Sequence, residues 1–599
     1  MGFRAFSTPL LLLWLAAVPP LHAAEDPLGA AVFRQNCAVC HETAQPGGRM
    51  PDMASLKRRT SAEILQALET GIMQSQGGNL TSTERAAVAA WLGVAPARPD
   101  AASANYCANE PPWEPKDADA RWDSWGGGPE NLRFQKNGGL ATADIPSLKL
   151  RWAFAIPNAA SMRSQPAVMG GRIFIGGQDG SIYALSAAKG CTYWAGKLRS
   201  QVRSGLAMAQ LRNRTLILAG DVTGRVTALD AATGAEVWST QVEGNPFAMV
   251  TSTPLVYEGR VYVGVSSREE PEAARPNYIC CTFRGSVAAL NAADGTIIWK
   301  TWTTPEPPRP RAKSRSGQDV LGPSGAGVWA TPTLDVERNL LYITTGDNYS
   351  DPTTDTSDAL LALEPKDGHI VWSKQFTKGD AFNTTCVAPV KTNCPDSAGP
   401  DHDFGASAIL VKLSSGRRVL LLGQKSGVLH AVDPDKKGEL LWEEHVGKGG
   451  PLGGIQWGPA SDGAKIYVAL SDMTVPGATG GLFAFQVANG ERVWRTPNNF
   501  CSGKPMCRPA QSGAVTAVPG AVFSGSLDGH LRAYSSATGQ VIWDYDADHE
   551  FRTVNGVKGT GGSFDAGGPV VAGGMLFTGS GYGAFGGIPG NVLLAFGPE

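Results

Sequence analysis

Cys37-Ala38-Val39-Cys40-His41 sets two thiols three residues apart, with an imidazole directly behind the second. That spacing is the C-x-x-C-H pattern of covalent haem c attachment: the thiols add to porphyrin vinyl groups and His41 is placed to ligate the iron. Thiol–disulfide exchange is the other chemistry open to a C-x-x-C pair, and the adjoining His argues against it. The iron then needs a second axial ligand, for which Met50, Met53 and Met73 lie downstream. The chain has ten cysteines, an even number. Cys386 with Cys394 and Cys501 with Cys507 would close short loops and leave Cys107 for Cys191, although spacing does not fix connectivity. Cys280 and Cys281 are adjacent. Bonded to each other they would form a strained ring, because a trans peptide holds Cα atoms about 3.8 Å apart, below the usual disulfide range. Two bridges to separate partners are the alternative.

These groups need elements to hold them. Arg4, the apolar run over 10–18 and the small residues at 21–24 read as an export signal over 1–24, too short and wrongly flanked for a spanning helix. No later stretch is apolar enough to cross a bilayer. Export implies a periplasmic protein in which disulfides can persist. The net charge of −2 gives no electrostatic reason to expect nucleic acid or an acidic membrane as partner. The 74 Gly and 16 Trp suit many short strands and tight turns rather than helical bundles. Only residues 25–95 look helical: apolar positions recur at helical spacing over 61–68 and 83–92, and Thr81-Ser82-Thr83-Glu84 reads as a helix start. This stretch resembles the small cytochrome c family, in which a loop Met completes the iron. Gly71-Ile72-Met73, followed by Gly77-Gly78, favours Met73 over Met50 and Met53. A linker rich in Ala, Pro and Asp covers 96–119.

Residues 120–599 repeat one pattern: Gly, a short alternating strand, a turn usually holding Gly, another strand, then Trp. It reads GSIYALSAAKGCTYW to Trp194, GRVTALDAATGAEVW to Trp238 and GSVAALNAADGTIIW to Trp299, and recurs to Trp372, Trp442, Trp494 and Trp543. The last copy, GNVLLAF, stops before its Trp, and the missing piece stands at the other end as LKLRW with Trp152. Eight units, one split between the two ends, predict a ring closed by both. An open solenoid would need two capping units instead. The expected fold class is an all-β eight-bladed β-propeller preceded by a small all-α cytochrome c domain.

Trp125-Gly126-Gly127-Gly128-Pro129-Glu130-Asn131-Leu132-Arg133-Phe134, followed by LKLRW, resembles the N-terminal signature of the alcohol dehydrogenases that depend on pyrroloquinoline quinone (PQQ). PQQ is a flat tricarboxylate quinone. It needs cationic forks, an aromatic face and a hard cation held by oxygen ligands. The resemblance implies Arg203, Thr253, Trp457 and Lys425 as cofactor contacts and Trp329 as the ring on which PQQ stacks. It implies Glu269 and Asp347 as calcium ligands, Asp347 standing where the family has Asn. The catalytic base falls in Gly399-Pro400-Asp401-His402-Asp403, with Asp403 favoured and Asp401 second. Asp-x-Asp also resembles the branch that uses a lanthanide. Cys280 and Cys281 would lie against the PQQ face, although the pair opens the third repeat's strand here and sits earlier in well-known members. The N-terminal haem together with Cys280-Cys281-Thr282-Phe283-Arg284-Gly285-Ser286 is most like the cytochrome-bearing polyvinyl-alcohol dehydrogenases.

The resemblance implies oxidation of secondary alcohol groups, with polyvinyl alcohol as substrate. Hydride passes to PQQ, and electrons move through haem c to an external acceptor such as a soluble cytochrome or a quinone. Small alcohols or sugars are the alternative substrates. A non-catalytic propeller scaffold is the alternative from another class, because blades alone do not make an enzyme. Gly581-Tyr582-Gly583-Ala584-Phe585-Gly586 matches G-x-G-x-x-G without a following helix and reads as a loop of the closing blade.

Overall fold

A computed structural model describes residue 2 and residues 27–42, 53–57, 61–69, 73–93, 105–108, 113–116, 120–275, 277–499, 501 and 507–598. The expected export signal beyond residue 2, and Met50, lie outside the described residues. The chain divides into two compact units, Met1–Pro96 and Ala97–Glu599. No helix among the described residues is long and apolar enough to cross a membrane.

The first unit is helical. Helix Pro27–Asn36 packs on helix Ser82–Leu92, and Ser61–Glu69 packs on the latter too. Val32, Phe33, Ile64, Leu68, Val88 and Leu92 form the core. Gly29 is where the outer two helices nearly touch: a Cβ there would stand 2.4 Å from the Ala87 carbonyl oxygen. The helix start expected at Thr81 is a capping box. Thr81 Oγ1 accepts from Glu84 N at 3.0 Å, and Glu84 Oε2 accepts from Thr81 N at 2.6 Å.

The second unit is an eight-bladed propeller built from seven four-stranded antiparallel sheets and a third blade whose inner edge is shared by two short strands. In every blade the innermost strand is short and largely buried, as at Ala167–Met169, Thr333–Asp335 and Val570–Ala572. The eighth blade carries the split expected from the repeats: Lys149–Ala155 pairs antiparallel with Val592–Gly597 as its outermost strand. Closure by both ends leaves the ring no free sheet edge between first and last blades.

The recurrent Trp ties neighbouring blades together. Trp152, Trp194, Trp238, Trp299, Trp442, Trp494 and Trp543 each donate their indole N–H to a backbone carbonyl of the adjoining blade, at 2.9–3.2 Å. The facing turn needs Gly. Gly234 has φ +77°, and a Cβ there would come within 2.6 Å of the Trp194 ring. Trp238→Phe would keep the buried ring but leave the Ala292 carbonyl without its donor, and is expected to cost about 1–3 kcal/mol. The shift of the denaturant midpoint of the full chain measures it.

The segment 122–135 threads the centre of the ring. Its backbone hydrogen-bonds innermost strands of several blades, through Trp122 with Val168, Pro129 with Leu334, Glu130 with Leu410, Leu132 with Ser461 and Arg133 with Ala517. Arg133 is buried, which brings its guanidinium down to about 9, and reaches the Val515 carbonyl, the Trp125 carbonyl, Gln165 and Thr516. The sequence signature over Trp125 to Phe134 is therefore a plug that fixes one end of the axis. Cys107–Cys191 and the Tyr106–Thr192 bridge fasten the linker to the first blade, while Cys386–Cys394 and Cys501–Cys507 close loops.

Candidate active site

Propeller topology collects the residues that precede the innermost strands. Arg163, Arg203, Thr251, Trp329, Asp403 and Trp457 stand just before those of blades one to six. All line a cavity of about 370 Å³ or a smaller space adjoining it. Loops between later strands add Asp347, Lys425 and Tyr582 to the same cavity.

One wall is a buried cluster of charges. Lys425 Nζ donates to Asp401 Oδ1 at 2.7 Å and to Asp403 Oδ2 at 2.6 Å, while Asp403 Oδ1 accepts from Asp347 N at 2.6 Å. Asp347, Asp401 and Asp403 offer oxygens within 4.8 Å of one another. Burial and the neighbouring carboxylates Asp403, Asp401 and Glu270 push the Asp347 carboxyl well above its usual value. Burial does the same to Asp401, against the pull of Lys425. Burial and Asp403 raise Glu270 to about 7, with Lys425 opposing. Burial alone would lower the Lys425 ammonium, but Asp401, Asp403 and Glu270 outweigh it and hold it well above the usual lysine value. Carboxylates packed this closely repel, and a hard cation with oxygen ligands is what relieves them.

The opposite character appears below Trp329. Its ring meets Trp457 edge-on at 5.4 Å, carries Lys425 Nζ 5.2 Å from its centroid, and leaves no space for a side chain at Gly405, whose Cβ would stand 2.5 Å away. Arg203 sits over Trp457 at 5.9 Å, its guanidinium lowered to about 10 by burial and Arg163. Arg163 Nε, Arg203 Nε, Thr253 Oγ1 and Asp347 Oδ2 are buried without a hydrogen-bond partner among the described residues. Such orphaned groups are costly unless a ligand satisfies them. Two arginines, an aromatic face and a carboxylate cluster fit a flat polycarboxylate quinone and a hard cation.

The cavity brings together Arg203, Trp329, Asp347, Asp401, Asp403, Lys425 and Trp457, all named from sequence. Four others do not line it. Thr253 faces the smaller adjoining space against Gly205, and Thr251 takes the main cavity wall. Glu269 is a correction: its fully buried carboxylate accepts from Tyr278 Oη (2.5 Å), Thr282 N (2.6 Å), Thr282 Oγ1 (2.9 Å) and Phe283 N (2.8 Å). Glu270, the next residue, faces the cavity instead. Cys280 and Cys281 are also corrected. They are bonded to each other across a cis peptide, with Cα atoms 3.0 Å apart, and lie fully buried in the third blade's core rather than on the cavity wall. Phe382, Thr384 and Val387, from the strap 382–394 whose last part Cys386–Cys394 closes, line the cavity instead.

Sequence reasoning missed Glu270, Arg163 and the loop at Tyr582. Adjacent glutamates look alike in sequence. Arg163 had a legible signal, because Arg163-Ser164 and Arg203-Ser204 occupy the same place in successive repeats. The loop at Tyr582 belongs to the closing blade as expected, yet Tyr582 and Phe585 also line the cavity.

In the helical unit, Cys37 and Cys40 stay outside any disulfide; Cys37 caps the helix Ala38–His41 and Cys40 lies within it, beside the buried His41. Burial and Cys40 raise the Cys37 thiol. Met73 and Met53 both pack on this unit's core.

Three comparisons bear on this geometry. Residues 122–395 match the family described as glucose/ethanol/alcohol dehydrogenase, beta-propeller domain, and residues 24–92 match cytochrome C oxidase, cbb3-type, subunit III. The family of the outer membrane protein assembly factor BamB matches 424–559 and 478–588, within the repeated blades. The chain is 38% identical to a polyvinylalcohol dehydrogenase of Pseudomonas sp. over 95% of its length and 93% of the relative's. It is 36% identical to one of Sphingopyxis sp. (strain 113P3), over 95% and 92%. A quinohaemoprotein alcohol dehydrogenase from Pseudomonas putida HK5 shares the fold at a TM-score of 0.59 and 18% identity, over 80% of each chain.

Proposed function

Because the chain belongs to the cytochrome-containing, PQQ-dependent alcohol dehydrogenases, we propose that it oxidises secondary alcohol groups of polyvinyl alcohol in the periplasm. Bound PQQ would supply the two-electron acceptor for the carbinol carbon, and bound haem c would supply a one-electron relay. Each reacting CHOH gives up two electrons and two protons and becomes a ketone.

Asp401 is the base. Its Oδ1 is held by Lys425, and no hydrogen bond among the described residues reaches its Oδ2, which leaves a lone pair for a substrate hydroxyl. Asp403 has both oxygens engaged, by Asp347 N and Lys425, and serves as a fixed anchor and cation ligand. Glu270, Asp347 and Asp403 would hold calcium or a lanthanide, the choice resting on how much charge the cluster must neutralise. Arg203 and Arg163 would pair cofactor carboxylates, Trp329 would stack on its ring, and Thr253, Trp457 and Lys425 would complete its surroundings. Cys37 and Cys40 would carry the haem, with His41 and Met73 on its iron. An external acceptor, a soluble cytochrome or a quinone, would receive the electrons. Four disulfides support an oxidising compartment.

The observation that carries the chemistry is the buried Asp401–Lys425–Asp403 triad beside Trp329. The relatives carry the substrate. The direct test is haem reduction by the reconstituted chain with a panel of alcohols. Polyvinyl alcohol and long secondary alcohols are expected to outrun methanol, ethanol and sugars; a preference for ethanol or glucose would refute the polymer assignment. For the iron, Met73→Ala is expected to abolish the Met–iron charge-transfer band and lower the reduction potential. Loss of the band in Met53→Ala instead would move the ligand there.

A further inference from the structure

We propose that Val387 and Phe585 form an apolar rim that grips the hydrocarbon backbone of a long substrate where it crosses the cavity mouth, and so set the preference for long over short alcohols. This rests on the polymer reading above. Both side chains line the same cavity as Asp401 and Trp329, yet they are 68% and 58% exposed. They therefore stand where the cavity opens to solvent. The same cavity is also lined by Phe382, which is buried, and by Leu452 and Met473, which are partly buried, so apolar surface is present inside the mouth as well as at it. Single exposed apolar residues are ordinary on a protein surface. Exposed apolar side chains that line the opening of a reaction site mark where a ligand covers it.

Both rim residues sit on braced loops. Val387 lies on the strap closed by Cys386–Cys394. Asn383 Nδ2 of the strap donates to the Tyr349 carbonyl at 3.0 Å and the Asn393 carbonyl at 2.9 Å, and Asn393 Nδ2 donates to the Ala273 carbonyl at 2.8 Å. Phe585 is held at φ +49°, in the left-handed region that a bulky residue avoids. Its loop is pinned by Tyr582 N to the Ile588 carbonyl (2.9 Å), Gly587 N to the Ala584 carbonyl (2.9 Å) and Gly583 N to Ser161 Oγ (3.0 Å). Backbone strain of this kind persists only where the surroundings enforce it, and clusters at ligand clamps.

Polymer geometry asks for such a rim. The reacting carbon of a polyvinyl chain is internal, so methylene backbone leaves the site in both directions and must pass the mouth twice. A short alcohol has no chain beyond its reacting carbon long enough to lie along Val387 and Phe585.

Val387→Ser, Phe585→Ser and the double variant, loaded with PQQ, metal and haem, test this with polyvinyl alcohol and with 2-alkanols from 2-butanol to 2-decanol. Haem spectra and melting curves confirm folding. In the double variant, KM for polymer and for 2-decanol is expected to rise about tenfold with kcat within twofold, so that kcat/KM relative to 2-butanol falls by a similar factor. Val387→Leu and Phe585→Leu should keep the long-chain preference. An equal loss at every chain length, or no loss with 2-decanol, would overturn the rim. If the wild type oxidises 2-alkanols but not the polymer, the substrate proposal fails, and the alkanol series still decides the rim by itself.

Discussion

Asp401→Asn is expected to slow haem reduction by alcohol about a hundredfold or more while PQQ, metal and haem stay bound. The substitution keeps the shape and the hydrogen bond from Lys425 but removes the lone pair that accepts the hydroxyl proton. Asp403→Asn is the necessary partner experiment. It touches Asp347 N and Lys425 rather than an open lone pair, so its loss should shrink when the cation is supplied in excess. Stopped-flow reduction at saturating metal separates the two: the defect that persists marks the base. A larger persistent defect in Asp403→Asn would exchange the roles, and two fast variants would place the base elsewhere.

Removal of the cation is expected to have the second largest effect. The buried Asp347, Asp401 and Asp403, with the half-buried Glu270, face one ammonium, Lys425. Their repulsion must be met either by proton uptake, as the raised carboxyls of Asp347, Asp401 and Glu270 express, or by a bound cation. Chelation should therefore lower the melting temperature of the chain, and re-addition at a hundredfold over Kd should restore about 2.7 kcal/mol. Lanthanum is expected to stabilise more than calcium, since its third charge offsets one more carboxylate. Glu270→Ala should weaken cation binding by about a hundredfold, measured by calorimetry on metal-free protein. Glu269→Gln sets an amide against Thr282 N and Phe283 N, and should instead cost about 1–3 kcal/mol of stability with a smaller change in binding. The reverse pattern would return the ligand role to Glu269.

The sequence by itself determined the architecture and most of the chemistry. Trp and turn Gly recur because each blade must dock on the next through an indole N–H and a close backbone approach. That requirement repeats with the fold, so eight units and the split eighth could be counted along the chain. The C-x-x-C-H site is contiguous, Trp329 precedes a blade's innermost strand, and Asp347 and Lys425 follow second strands at set offsets, which makes them legible as local patterns. Tertiary structure decided what depends on facing. Successive residues of a helical turn point about 100° apart, so Glu270 enters the cavity only because Tyr278, Thr282 and Phe283 arrive from further along the chain to bind Glu269. Cys280 and Cys281 are likewise drawn into the third blade's core by their packing neighbours, and the mouth is lined by loops from the fourth and eighth blades that meet only when the ring closes. Strand period and motif spacing are properties of the chain, whereas the direction in which an irregular loop presents a side chain is set by the partners folding brings to it, 9 residues away for Glu269 with Tyr278 and 422 for Gly583 with Ser161.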